Sequence, residues 1–183
     1  MPVVRVPRPS ARAMPVPSKA PDIASARALG TAFERPLARA EDTAAFGARL
    51  AARLRAGDAV LLEGPLGAGK SHLARAAIRA LTRPEEEVPS PSYTLVQTYE
   101  ARDGTPVWHA DLHRLSGPDE VWELGLLDAL PEAIAFVEWP DRMGPHAPPG
   151  ALWLRLAPEG EGRRLLARGE GPRWAGLEAL LDG

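Results

Sequence analysis

The sequence predicts an α/β layered fold, a mixed sheet flanked by helices, and three observations predict it. Two short apolar runs, 58–63 and 133–139, are bounded by Gly or Pro and are too short for core helices, so they read as buried strands. Segments with apolar residues at helical spacing alternate with the strand-like runs. Two turn signals, Asp103-Gly104 and Gly160-Glu161-Gly162, join neighbouring strand-like runs as hairpins, which adds antiparallel pairing.

The elements follow in order. Residues 1–30 are rich in Pro, Arg, Ala and Ser, show no apolar periodicity and hold no acid before Asp22, which is the composition of a disordered basic tail. A single domain is expected over 31–183. Residues 41–56 place Phe46, Leu50 and Leu54 on one helical face, with an acidic start and a basic end that suit the helix dipole. Gly57 is expected to stop this helix. After the strand 58–63, a second helix is expected over 69–81, with Leu73, Ala77, Ile78 and Leu81 inward. A proline-rich loop, 84–91, leads to strands 94–100 and 106–111. Residues 118–130 read as one helix carrying Val121, Trp122, Leu124 and Leu127. The strand 133–139, the hairpin 151–157 with 163–168, and a short closing helix over 172–181 complete the reading.

The net charge of −2 gives no whole-chain field that would draw the protein onto nucleic acid or an anionic membrane. Any RNA involved is therefore expected to be held by a partner. The chain has no cysteine, which excludes disulfides, thiolate zinc sites and thiol catalysis. No apolar run approaches the ~20 residues of a membrane-spanning helix, and the N-terminus lacks the apolar core of a secretory signal. No membrane role is expected, and the expected location is the cytoplasm.

Between the first strand and the second helix lies Gly64-Pro-Leu66-Gly67-Ala68-Gly69-Lys70-Ser71, the pattern G-x-x-x-x-G-K-[ST]. Glycines let a backbone curl until successive N–H groups point at phosphate oxygens, and the helix that starts there adds its positive end. Lys70 can reach the β and γ phosphates and the Ser71 hydroxyl can ligate Mg²⁺. Of the 22 Lys and Arg residues only Lys19 and Lys70 are lysines, and a compact ammonium suits this position better than a guanidinium. The expected ligands are ATP and Mg²⁺, with the stretch from Gly64 to His72 lining the phosphates. Adenine is the default base, because no Asn-Lys-x-Asp segment for guanine is present.

Two acids end strand-like runs, Asp111 after 107–110 and Glu138 after 134–137. In open α/β sheets ligands sit beyond the carboxyl ends of the strands, so either acid can face the nucleotide, one holding Mg²⁺ and one orienting water. His109, Asp111 and His113 alternate and would share a face of an extended strand. A metal site of His and carboxylate is a weaker reading, since no third histidine lies nearby and the loop already accounts for Asp111.

Over about residues 32–143 these segments resemble the TsaE family of bacterial P-loop ATPases, also called YjeE. Thr43 and Phe46-Gly47 precede the loop as in that family, Gly57-Asp58 precedes the strand, and Gly64 to Ser71 resembles its phosphate loop. Ser90-Pro91-Ser92-Tyr93-Thr94 resembles its Ser-Pro-Thr-Phe switch, and His109-Ala-Asp111-Leu-His113-Arg114-Leu115 its His-x-Asp-Leu-Tyr-Arg-Leu segment. Glu123-Leu124-Gly125 and Glu138-Trp139 resemble two further family segments. Pro65, Ser71, Ser92 and His113 stand where the family often has Asp, Thr, Thr and Tyr. Both Ser replacements keep a hydroxyl, whereas Pro65 removes a carboxylate and a backbone donor.

The resemblance implies an Mg-dependent ATPase that supports threonylcarbamoyl transfer to adenosine 37 of tRNA. It implies binding to, and resetting of, a complex of TsaD and TsaB rather than catalysis of the transfer itself. It assigns phosphate and metal to Lys70 and Ser71, a nucleotide-responsive switch to residues 90–94, metal or water to Asp111 and Glu138, and a place near the nucleotide to Trp139. Two other functions use the same loop. One is a nucleotide-gated binding module without significant turnover. The other is a small-molecule kinase, which would need an arginine-bearing lid that the scattered Arg83, Arg102 and Arg114 do not form.

Overall fold

A computed structural model describes residues 30–181, so the expected basic tail lies outside the described residues except for Gly30. The chain runs β1 (Gly30–Leu37), α1 (Ala40–Ala51), β2 (Ala59–Glu63), α2 (Lys70–Leu81), β3 (Val96–Glu100) and β4 (Pro106–Asp111). It continues through two short helices, α3 (Glu120–Glu123) and α4 (Leu126–Ala129), then β5 (Ile134–Glu138) and a 3₁₀ segment (Pro140–His146). The hairpin β6 (Leu152–Glu159) and β7 (Gly162–Glu170) and two 3₁₀ turns (Pro172–Trp174, Glu178–Leu181) end the described chain.

The strands form one sheet in the order β1-β7-β6-β2-β5-β4-β3. Its centre, β6-β2-β5-β4, is parallel, and β3 and the β7–β1 pair close the edges antiparallel. This is the expected mixed sheet, and alternation along the strands sorts its two faces. Val60, Leu62, Ile134 and Phe136 pack under α1 and α2 with Phe46, Leu50, Leu73 and Ile78. Ala59, Leu61, Ala135 and Val137 face the opposite layer, which holds Val121, Leu126 and Met143. Gly47 lets α1 lie directly on α2, since a Cβ there would come within 2.6 Å of the Leu73 carbonyl.

Several elements differ from the sequence expectation, each for a local reason. The first helix ends at Ala51, not at Gly57. Asp58 accepts the Arg55 N–H at 2.8 Å and the Arg173 Nε at 2.8 Å, and Arg173 also donates to the Arg53 carbonyl, so the chain is drawn into turns instead of another helical turn. The helix expected over 118–130 is broken at Gly125, whose φ of 69° lies in the left-handed region. The closing helix expected over 172–181 is two 3₁₀ turns separated by Gly176, also left-handed at φ 72°. Strand β1 was not expected. Its segment, Gly-Thr-Ala-Phe-Glu-Arg-Pro-Leu, contains a proline, and its pairing partner β7 lies about 130 residues away, as in the pair Phe33 with Ala167.

Candidate functional site

The loop between β2 and α2 and the carboxyl ends of β2, β4 and β5 meet on the α1/α2 side of the sheet. Gly64, at φ 141°, lies against the Leu156 carbonyl of β6, which a Cβ would strike. Gly67 and Gly69 take φ of 78° and 101°. Three such angles in six residues give the loop a curl that only glycine adopts without strain. Gly69 caps α2 and, lacking a side chain, takes none of the first donors of that helix. Leu66 at the tip is 91% exposed, whereas Ala68 is buried.

Lys70 opens α2 and is only 4% exposed. Its Nζ donates to the carbonyls of Gly64 at 2.8 Å and Pro65 at 3.0 Å, and lies 4.4 Å from the centre of the Trp139 ring. Burial lowers the pKa of this amine from its ordinary value, while Glu138 and then Asp111 act in the opposite direction. Trp139 reaches this position because the chain leaves β5 through a left-handed residue, φ 59° and ψ 52°. For a side chain of this size that costs about 1–2 kcal/mol. The turn is pinned by Trp139 N–H donating to the Leu62 carbonyl at 3.2 Å and by Arg142 N–H donating to the Trp139 carbonyl at 3.0 Å.

Asp111 and Glu138 are direct partners across the β4–β5 ladder, and both are buried. Alternation puts them, with His109, on the face that carries α2. Glu138 Oε1 is 2.9 Å from His109 Nε2. Asp111 Oδ2 accepts the Ser92 hydroxyl at 2.9 Å, and its Oδ1 accepts the His113 backbone N–H at 3.1 Å with His113 Nδ1 at 3.0 Å. Hydroxyls continue from there. Ser92 and Ser90 are 2.8 Å apart, and Ser90 is 3.4 Å from the Ser71 hydroxyl. A chain of side chains thus runs from the start of α2 through residues 90–92 to the end of β4. Pro91 is buried in this segment, Tyr93 is 90% exposed, and Thr94 is exposed. The Leu95 N–H donates to the Pro91 carbonyl at 2.7 Å, and Arg75 Nε on α2 holds the Val88 carbonyl at 2.7 Å.

The structure therefore gathers Lys70, Ser71, Ser90, Ser92, Asp111, Glu138 and Trp139 around one end of the sheet. His72 points elsewhere, its Nε2 lying 2.9 Å from the Ala40 carbonyl that starts α1. The strand β4 stops at Asp111, so His113 approaches that acid from the following loop, not along the strand face. Among the described residues no group of three or more His, Cys, Asp or Glu side chains is placed to hold a metal. The oxygen donors Ser71, Asp111 and Glu138 form a hard, mixed set of the kind Mg²⁺ takes alongside phosphate and water. One contributor had no local signal in the sequence. Arg163, at the start of β7, donates through Nε to the Ala68 carbonyl at 3.0 Å and through a guanidinium nitrogen to Thr43 Oγ1 at 3.4 Å. It braces the loop against α1, and a Cβ on Gly69 would meet it at 3.0 Å.

The family model described as "Threonylcarbamoyl adenosine biosynthesis protein TsaE" matches residues 37–166, more than half of the chain. The chain belongs to the TsaE family. A Rickettsia felis relative named tRNA threonylcarbamoyladenosine biosynthesis protein TsaE is 34% identical over 125 residues, covering 68% of this chain and 72% of its own. Relatives of the same name from Mycobacterium tuberculosis and Mycobacterium leprae are 38% and 45% identical, over 66% and 55% of this chain and 76% and 67% of theirs. A solved structure, Bacillus subtilus YdiB, superposes with a TM-score of 0.64 at 25% identity, covering 82% of this chain and 94% of that one. The TsaE architecture is a P-loop fold, in agreement with the layered α/β sheet and the loop that joins β2 to α2. No helix among the described residues is long and apolar enough to cross a membrane.

Proposed function

We propose that this TsaE-family chain binds Mg·ATP at residues 64–71 and hydrolyses it in support of threonylcarbamoyladenosine formation in tRNA. The observation that carries the reading is the convergence of a glycine-curled loop ending in buried Lys70 with the paired carboxylates of Asp111 and Glu138. The Lys70 ammonium would exchange the Gly64 and Pro65 carbonyls for phosphate oxygens, and the first N–H groups of α2 would take the phosphate charge. Ser71 and one of the carboxylates of Asp111 and Glu138 would hold Mg²⁺, which when bound neutralises charge developing on the phosphate oxygens. The carboxylate not occupied in that role would orient the attacking water, with Glu138 the better placed because its own orientation is fixed from the core. Water would add to the γ phosphorus and give up a proton to that carboxylate or to a γ-phosphate oxygen, the bond from phosphorus to the β-phosphate oxygen would break, and ADP and phosphate would leave.

The hydroxyl chain from Ser71 through Ser90 and Ser92 to Asp111 supports a switch role for residues 90–94, since a change at the phosphates would be felt along it. Leu66 and Tyr93, both strongly exposed beside the site, suit burial by a partner, and the TsaD–TsaB complex is the partner we propose. ATP hydrolysis measured for the purified chain alone and with that pair, with Lys70→Ala as the blank, tests the reading. Turnover that is slow alone and rises with the pair is the expected result. Turnover without response to the pair and without complex formation would remove the tRNA role. Binding of ATP with no turnover in either case would favour the nucleotide-gated module.

A further inference from the structure

We infer that His109 is a positioning residue that sets the orientation of the Glu138 carboxylate, resting on the proposed nucleotide site. His109 lies in β4 opposite Phe136, so its ring reaches diagonally along the ladder to the carboxylate that follows two residues later in β5. The imidazole is fully buried and Glu138 is 2% exposed, which leaves solvent little access to either group. The bond between Nε2 and Oε1 is 2.9 Å long. His109 Nδ1 has no hydrogen-bond partner among the described residues. An ionised carboxylate only accepts, so Nε2 donates to Glu138, while the second nitrogen has no partner among the described residues. An apolar side chain would fill this place opposite Phe136 without an orphaned polar atom, so packing alone does not account for a histidine here. Its directed contact is with Oε1, and fixing that oxygen leaves Oε2 with one defined heading.

The asymmetry with Asp111 supports the same conclusion. Asp111 is held by groups on the loops 90–92 and 113, whereas among the described residues the side-chain hydrogen bond to the Glu138 carboxylate comes from a strand neighbour inside the sheet. A carboxylate that must keep one heading while the loops rearrange needs a partner of that second kind.

The test compares wild type, His109→Leu, His109→Gln, Glu138→Gln and the double variant His109→Leu/Glu138→Gln. The readouts are the Mg²⁺ dependence of affinity for a non-hydrolysable ATP analogue, by calorimetry, and kcat and KM separately. Gln places an amide N–H near the position of Nε2, whereas Leu has the bulk without the donor. The expected result is a loss of about 10–100-fold in kcat or in Mg²⁺-dependent affinity for His109→Leu, the range for removing a partner that orients a functional carboxylate. KM is expected to move much less, His109→Gln is expected to restore most of the loss, and the double variant is expected to be no worse than Glu138→Gln. Loss in both His109 variants that adds fully to that of Glu138→Gln would make His109 a packing residue and overturn the inference. Wild-type behaviour of His109→Leu with Glu138→Gln impaired would also overturn it, leaving the nucleotide site standing. Wild-type behaviour of Glu138→Gln with Lys70→Ala inactive would instead remove Glu138 from the site, and His109 with it.

Discussion

Asp111 and Glu138 are the same distance along adjacent strands, both buried, and yet they are held in opposite ways. Glu138 is tied to the sheet by the buried His109 ring. Asp111 is tied to loops, by the Ser92 hydroxyl from the 90–94 segment and by the half-exposed His113. Two carboxylates of equal chemistry thus have different surroundings, one bonded within the sheet and the other to loop residues. A third acid, Glu63 at the end of β2, shows the effect of burial where nearby charges compensate it incompletely. Burial raises its pKa above the ordinary value, Arg155 and Arg168 pull it back, and Asp141 adds to the rise.

The comparison can be broken most sharply at Glu138. Glu138→Ala is expected to keep ATP affinity within a few-fold and to lower turnover by about 10²–10³-fold, in the range for removing a positioned general base. Single-turnover hydrolysis beside equilibrium binding measures both, and normal turnover would move the chemistry to Asp111 or to a partner. Asp111→Asn is expected to weaken the Mg²⁺ dependence of binding and lower turnover by about 10–100-fold. It should also loosen residues 90–94, which faster amide hydrogen exchange there would report; unchanged exchange would cut the link between this acid and the loop. Ser92→Ala removes one hydroxyl from the chain and is expected to lower turnover only about 3–10-fold, as for the loss of one hydrogen bond worth about 1 kcal/mol net.

The smallest effect concerns stability. Because the folded-state pKa of Glu63 is raised, its ionisation opposes folding above that pKa, and the penalty disappears as pH falls below the ordinary value of 4.5. Glu63→Gln is expected to raise the thermal midpoint slightly at neutral pH, with the gain shrinking as the pH is lowered towards 4.5. A gain independent of pH would assign the effect to packing.

How much of this was legible in the sequence depended on range. The loop from Gly64 to Ser71, the strand β4 and the helix α2 announce themselves through contiguous residues, and all three stand where the pattern put them, α2 within one residue. The two strand-end acids could be named, but not their difference, because His109 and Glu138 are 29 residues apart and only the β4–β5 register joins them. Arg163 was invisible for the same reason, lying 95 residues from the Ala68 carbonyl it holds. The first helix ends early because Arg173, more than 100 residues away, reaches Asp58. Helical spacing also overstated 118–130, where the left-handed Gly125 decided the break against a continuous apolar pattern.

By itself, then, the sequence determined the local chemistry of this protein. Backbone curl needs glycines in sequence, a helix start needs its cap, and an apolar run between turns makes a buried strand. The tertiary structure decided which carboxylate is bonded within the sheet and which to a loop, and what braces the loop from behind. Those outcomes rest on hydrogen bonds a few ångströms long between residues distant in the chain, and only the order and register of the strands set their partners.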